Sequence, residues 1–493
     1  MTTALEQLKE RVAQIQDLVA VARILSWDQQ TMMPPAGAHH RADQQATIRR
    51  LAHELLVAPE TERLLEALRP LEESLDPDSD DASLVRVVRR DYEKEARVPT
   101  ELRVEMARAA AEAREVWVRA RAESDFESFR PALERNLDLR RRYVECFDDF
   151  DEPYDVLLDD FEPGTTAAEV RAVFGPVRER VVPLVSRLRD REVDDGFLRG
   201  EFPVERQAEI ARDLVELLGY RPGTWRIDHT EHPFASGAGF DDIRITTHYD
   251  PANLEFVLAV VHEFGHGLYE QQLPRELGRL PTGRSCSLGI HESQSRLWEN
   301  QVGRKLGFWR LFYPRLQEAF PQQLANVEVE RFLAALNRVQ PSPIRIHADE
   351  VTYGLHIVLR FELEQELLAG TVEVRDLPHV WNERMHDYLG IEIRDDADGV
   401  LQDTHWASGL IGYFPTYLLG SVMSVQIWEA AKRDLPELDE DVGRGELAPL
   451  REWLEHHVHR LGRKFLPQET LLRATGSTID PAPYLDYLER TYG

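Results

Sequence analysis

Lysine is nearly absent from this chain of 493 residues: Lys9, Lys94, Lys305, Lys432 and Lys464 are the whole set, leaving 54 of the 59 basic side chains as arginine. Acids outnumber bases, 88 Asp and Glu giving a formal net charge of −29 and a pI near 5.0. A surface of that sign repels phosphate, which argues against nucleic acid or an anionic membrane as partner. The arginine bias fits a GC-rich coding sequence better than a salt-adapted surface, because the pI is only moderately acidic. Cysteine is as scarce. Cys146 and Cys286 cannot build a disulfide framework and neither sits in a CxxC, so a reducing, cytoplasmic setting is expected. Apolar runs fall far short of the roughly 20 residues a membrane span needs. The amino terminus, Met1 to Glu10, reads as an amphipathic helix containing acids and not as a signal peptide.

What remains is an ordinary globular composition, 42% hydrophobic and 30% charged, long enough to bury a large core. Its periodicity is that of helices. Apolar residues recur at helical spacing over 4–25, stopping near Pro34 and Pro35, and again over 41–55, 60–68, 166–191 and 205–218. A charged helical stretch over 83–122 breaks near Val98-Pro99-Thr100. Further helices are expected over 290–306, 326–339, 349–368, 376–388, 417–433 and 447–464. The acid-rich segment 147–164 lacks the ligand order of a calcium loop and reads as a loop with acids among core aromatics. Only 239–249 alternates like a strand, with Ile243, Ile245 and Thr247 on one side and Arg244 and Thr246 on the other. With no repeat and no long linker, 1–493 reads as one all-α domain carrying a small β-sheet near 225–250.

The chain is organised around Asp250 to His266. Asp250 before Pro251 suits a helix start, and the apolar run from Leu254 to Val261 suits a buried helix. His262 and His266 stand four residues apart, one turn along the same face, within reach of one tetrahedral metal. Glu263 completes H-E-x-x-H, the pattern in which two histidines hold zinc and the glutamate activates water. The plain alternative is a pair of hydrogen-bonded core histidines, but such groups are costly to bury unless paired or bound. A third ligand is needed. A histidine six residues past His266 is excluded, because that position is Gln272, and Glu270 is a turn too far along a rigid helix. Glu292, at the start of the next helix, is the best candidate, with Glu299 and His291 as alternatives and His291 also a partner behind the ligands.

These residues carry a family likeness. His262-Glu263-Phe264-Gly265-His266, His291-Glu292-Ser293-Gln294, Ile344 to Asp349 and Gly399 to Trp406 occur in the order of the signatures of the carboxypeptidase Taq family of metallocarboxypeptidases, which the chain resembles over its whole length. Asp242 to Thr246, Leu25 to Gln29 and Thr31 to Pro35 are similar to further family segments. The resemblance implies a mostly helical, two-lobed fold related to neurolysin and angiotensin-converting enzyme, with a deep active-site groove. It also implies a homodimer that releases single residues from peptide carboxyl ends, with zinc or cobalt held by His262, His266 and Glu292 and with Glu263 as base.

Chemistry adds roles. The developing oxyanion needs donors besides a metal, and His405 is the first choice, with Tyr413 or Tyr417 beside it. A carboxyl-terminal carboxylate needs an arginine, and Arg345 is the best candidate. Zinc peptidases of this kind grip the substrate backbone on an edge strand, and 239–249 is assigned that place, with Arg244 closing the end of the groove. The rival within this chemistry is a dipeptidyl-carboxypeptidase or oligoendopeptidase; a silent metal-stabilised binding protein is the rival outside it.

Overall fold

The computed structural model describes residues 3–493, so Met1 and Thr2 at the head of the expected first helix lie outside the described residues. Thr3 and Glu6 cap that helix reciprocally, side chain to amide, and it runs Ala4–Thr31 before Pro34 and Pro35 prevent its continuation. Helices then dominate. The charged stretch divides as expected into Asp80–Arg97 and Thr100–Glu123, with Pro99 between them. Ala167–Leu188 and Val204–Leu218 match two further expected helices. Phe126–Val144 and Leu306–Ala319 were not announced by the pattern, and each carries an internal proline, Pro131 and Pro314.

One sheet stands among the described residues. Its strands are β1 (Trp225–His229), β2 (Ala235–Gly239) and β3 (Asp242–Thr247), in the order β1-β3-β2. β1 runs parallel to β3 with Trp225 opposite Ile243, and β2 runs antiparallel with Ala235 opposite Ile245. This corrects one expectation: the strand within 239–249 is the middle strand and not the edge. Ile243 and Ile245 are both buried, which a central strand permits. β1 and β2 are the edges, and β2, whose Ala-Ser-Gly-Ala-Gly has no large side chain, gives no alternating signal. Arg23 of the first helix covers part of that edge, its Nη1 donating to the Gly237 carbonyl at 3.2 Å.

Behind the sheet lies the central helix, Phe256–Gln272, with Val257, Val260, Val261 and Phe264 fully buried. Asp250 does not cap it, contrary to expectation. The Asp250 carboxylate instead accepts from the Ala252 amide at 2.8 Å and from Asn253 at 2.7 Å, closing a local turn. The carbonyls of Pro251 and Ala252 pair with the amides of Phe202 and Gly200, which fastens this turn to the neighbouring segment, and the helix begins only at Phe256.

Two helices press on the next one, Leu288–Arg296, from different sides. A Cβ on Gly265 would stand 2.5 Å from the Gln294 carbonyl oxygen, and one on Gly420, in the helix Pro415–Asp434, 2.6 Å from the Glu292 Cβ. Only glycine allows both approaches. The acid-rich segment fastens the start of Leu288–Arg296: the Leu288 amide donates to the Phe161 carbonyl at 3.1 Å and the Gly289 amide to Glu162 at 2.8 Å. That segment is not wholly a loop, since Pro153–Leu158 is helical. Its acids have structural partners: Asp159 accepts from Arg90 and Lys94, and Asp155 from the Ala167 amide. A separate small core around Leu8, Val12, Leu64, Leu84 and Val88 joins the amino-terminal helices. Among the described residues no helix is long and apolar enough to cross a membrane.

Candidate active site

His262 and His266 face the same way from the central helix, their rings 4.9 Å apart. Across from them Glu292 Oε2 lies 3.7 Å from His262 Nε2 and 3.4 Å from His266 Nε2. One ligand atom from each of the three falls within 4.8 Å of the others. The outer nitrogens are committed elsewhere. His262 Nδ1 donates to Glu299 at 2.8 Å and His266 Nδ1 donates to the His291 carbonyl at 3.1 Å, so both Nε2 lone pairs point at the shared space. Glu292 is pinned by Arg296 Nε at 2.8 Å and by the Ser295 hydroxyl at 3.1 Å. Burial works against its charge, but Arg296 and the two histidines outweigh burial and hold its carboxyl far below the usual range. Burial pushes His266 down to about 4, so it is neutral and able to donate its lone pair. Two imidazoles and one carboxylate, each oriented from behind, are the donor set of a divalent transition metal with room for a further ligand.

Of the alternatives weighed for the third ligand, Glu292 is the one inside the cluster. Glu299 stands behind His262. It lies seven residues past Glu292, on nearly the same helix face, where the helix widens into the π-helical turn Leu297–Val302. His291 stands behind His266, and its Nε2 donates to Glu270 at 3.2 Å. Glu263 is different in kind. It is buried, its Oε2 has no hydrogen-bond partner among the described residues, and burial raises its pKa to about 7 despite His262.

The facing wall carries Arg345, Asp403 and His405 on short turns, backed by side chains of the helices Glu350–Ala369 and Pro415–Asp434. Asp403 accepts from Arg345 Nη2 at 2.7 Å and from Arg360, whose Nη2 lies 2.6 Å away, so two guanidinium groups share one carboxylate. Arg345 also donates to the Tyr353 hydroxyl at 3.3 Å, and the Tyr353 ring lies 4.2 Å from the Arg296 guanidinium that pins Glu292. One aromatic ring therefore separates Arg345 from the arginine that supports the His262–His266–Glu292 cluster. His405 Nε2 is 3.2 Å from the Tyr417 hydroxyl. Burial drives His405 down to about 3, and although Asp403 opposes this, Arg345 and Arg360 add to it, so the ring is neutral. The rings of Tyr413 and Tyr417 lie 5.4 Å apart. His262, Glu263, Glu292, Arg345, His405 and both tyrosines line one cavity of about 930 Å³. Arg244 does not line it: Asp242 holds its guanidinium at 2.7 and 2.9 Å, and it lies 4.5 Å over the ring of Trp27, which does. The cavity's strand is β2, through Ala235, Ser236 and Gly237.

A family model described as Carboxypeptidase Taq (M32) metallopeptidase matches residues 7–492. The chain belongs to the M32 metallopeptidase family. It is 40% identical to the thermostable carboxypeptidase 1 of Thermus thermophilus over 96% of this chain and 95% of that one. Among solved structures, the M32 carboxypeptidase of Deinococcus radiodurans superposes with a TM-score of 0.95 at 37% identity, covering 100% of this chain and 99% of that one. A Pyrococcus furiosus carboxypeptidase superposes with a TM-score of 0.96 at 34% identity over the same shares. The mainly helical M32 fold with its small sheet is thus shown, and the chain is a metallocarboxypeptidase, a hydrolase acting on peptides.

Several residues of this M32 chain's site escaped the sequence reading. Tyr353, Arg360 and β2 carry no motif that was singled out. Arg360 did leave a trace: it is an arginine within the apolar helix Glu350–Ala369, where it is fully buried, and a charge in that setting implies a partner. Arg296 left another, four residues past Glu292 and therefore beneath it.

Proposed function

We propose that this enzyme removes single residues from the carboxyl ends of peptides, with His262, His266 and Glu292 holding a zinc ion, cobalt being the alternative. Two histidine nitrogens and one carboxylate suit either metal. When bound, the ion supplies Lewis-acid polarisation of the scissile carbonyl and of a water molecule. Glu263 takes the proton of the attacking water on its unpartnered Oε2 and passes it to the leaving amine; burial, which disfavours its charged form, favours its taking the proton. His405, neutral, and a tyrosine hydroxyl from Tyr417 or Tyr413 donate to the developing oxyanion.

The observation that carries the exopeptidase reading is the surplus charge of the facing wall. Arg345 and Arg360 bring two positive charges to one Asp403, and only Arg345 of the two arginines lines the cavity. A free carboxylate at the end of a peptide neutralises that surplus, whereas an internal peptide bond does not. Arg244, one ring behind the wall, would set the position of Trp27 and so the length of chain that fits. The proposal further comprises a single domain, 1–493, with two lobes about the groove, working as a homodimer in the cytoplasm. The last is supported by two free cysteines.

A time course of peptide digestion followed by mass spectrometry, with and without chelator, tests this reading. Sequential loss of single carboxyl-terminal residues, abolished by chelator and restored by Zn²⁺ or Co²⁺, is the expected outcome. Dipeptides or internal fragments would instead establish the dipeptidyl-carboxypeptidase or oligoendopeptidase, which the carboxypeptidase names of the relatives do not favour.

A further inference from the structure

A second group of metal-ligating side chains lies at the end of the sheet. His229 closes β1, Glu231 lies two residues on in the connection to β2, and His248 follows β3. One ligand atom from each falls within 4.8 Å of the others. The parallel pairing of β1 with β3 sets His229 opposite Thr247, and the Thr230 amide donates to the Thr247 carbonyl at 3.0 Å, so backbone hydrogen bonds hold the two histidine-bearing ends together. Their rings are 5.3 Å apart. His248 Nδ1 donates to the Thr230 carbonyl at 3.2 Å, which fixes its tautomer and leaves the Nε2 lone pair for a ligand. This is how His266 is oriented by the His291 carbonyl.

We propose that His229, Glu231 and His248 form a second site for a first-row divalent cation such as Zn²⁺. Two imidazoles and a carboxylate repeat the donor chemistry of the buried cluster, but His229 and Glu231 are exposed, so water completes the coordination. Among the described residues Glu231 has neither a hydrogen bond nor an ion pair, and its charge is available to the cation. The His229 ring accepts from the Tyr249 amide at 3.2 Å, a weak bond that the metal replaces and that water can make good at this exposed position. The consequence reaches the groove. His232, Pro233 and Phe234, next along the connection, line the 930 Å³ cavity, so an ion here ties the rim of the groove to the end of β3.

The test uses the untagged full-length protein, stripped with chelator, loaded with micromolar Zn²⁺, desalted and analysed for bound metal. Wild type is expected to hold two Zn²⁺ per chain, and His248→Ala and His229→Ala one each, with circular dichroism showing both folded. The double variant His262→Ala/His266→Ala is expected to hold one, in the second site. Glu231→Gln is expected to weaken the second ion about tenfold. Wild type that holds a single ion per chain, or two ions retained in both His248→Ala and His229→Ala, overturns the proposal. Neither result bears on the peptidase reading, since these three residues lie outside its machinery.

Discussion

On one wall of the cavity His262, His266 and Glu292 project from two packed helices, and on the other Arg345, Asp403 and His405 come from short turns. The helical wall draws its geometry from backbone. The repeat of the helix places the two imidazoles 4.9 Å apart, and Gly265 lets Leu288–Arg296 come close enough for Glu292 to reach both. The turn wall draws its geometry from charge. Asp403 ties Arg345 to Arg360, and Glu364 holds the turn beneath His405 by accepting from Trp406 Nε1 at 2.8 Å and from the Gly412 amide at 3.0 Å. The first wall is therefore sensitive to shape and the second to protonation and ion pairing.

The largest effect expected is at the helical wall. Glu263→Gln keeps the shape and removes only the proposed base, so kcat should fall about a thousandfold while bound metal, measured by elemental analysis, stays at the wild-type level. Retained activity would strike out Glu263 as the base.

Next comes the turn wall. Arg345→Ala should lower kcat/KM about a hundredfold on peptides with a free carboxyl end and far less on amidated ones. Arg360 still pairs Asp403 in that variant, which protects the fold. Equal losses on both kinds of peptide would show that the arginine serves structure and not the substrate.

A smaller change should follow behind the proposed ligands. Glu299→Gln leaves an acceptor for His262 Nδ1 but removes the charge, and the metal dissociation constant should rise about tenfold in a competition titration. No change would mean that the helix alone orients His262.

The smallest effect is on stability. Burial raises Glu364 from 4.5 to about 7, although Tyr154, Gly412 and Trp406 donate to it. The folded state thus holds its proton more tightly than the unfolded chain does. The resulting stabilisation is complete below the unfolded value of 4.5 and is lost as pH rises through about 7. Burial raises Glu162, which holds the Leu288–Arg296 helix, to about 7 as well, so it acts in the same direction. The Tm followed by circular dichroism should fall by a few degrees across that window, and Glu364→Gln should flatten the slope. An unchanged slope would remove Glu364 from the account.

These contrasts explain what could be seen beforehand. The amino acid sequence alone determined the helical class, the central helix, and the pairing of His262 with His266 beside Glu263, because each depends on spacing along one helix. It also ranked Glu292 ahead of Glu299 and His291, although nothing in spacing shows two helices touching; that contact needed Gly265 and Gly420 to meet their neighbours. Only the tertiary structure decided that β3 is central, that β2 faces the cavity, that Arg244 lies behind Trp27, and that Arg345 shares Asp403 with Arg360. Strand order and ion pairing join residues far apart in the chain, and neither leaves a period that a linear reading can detect.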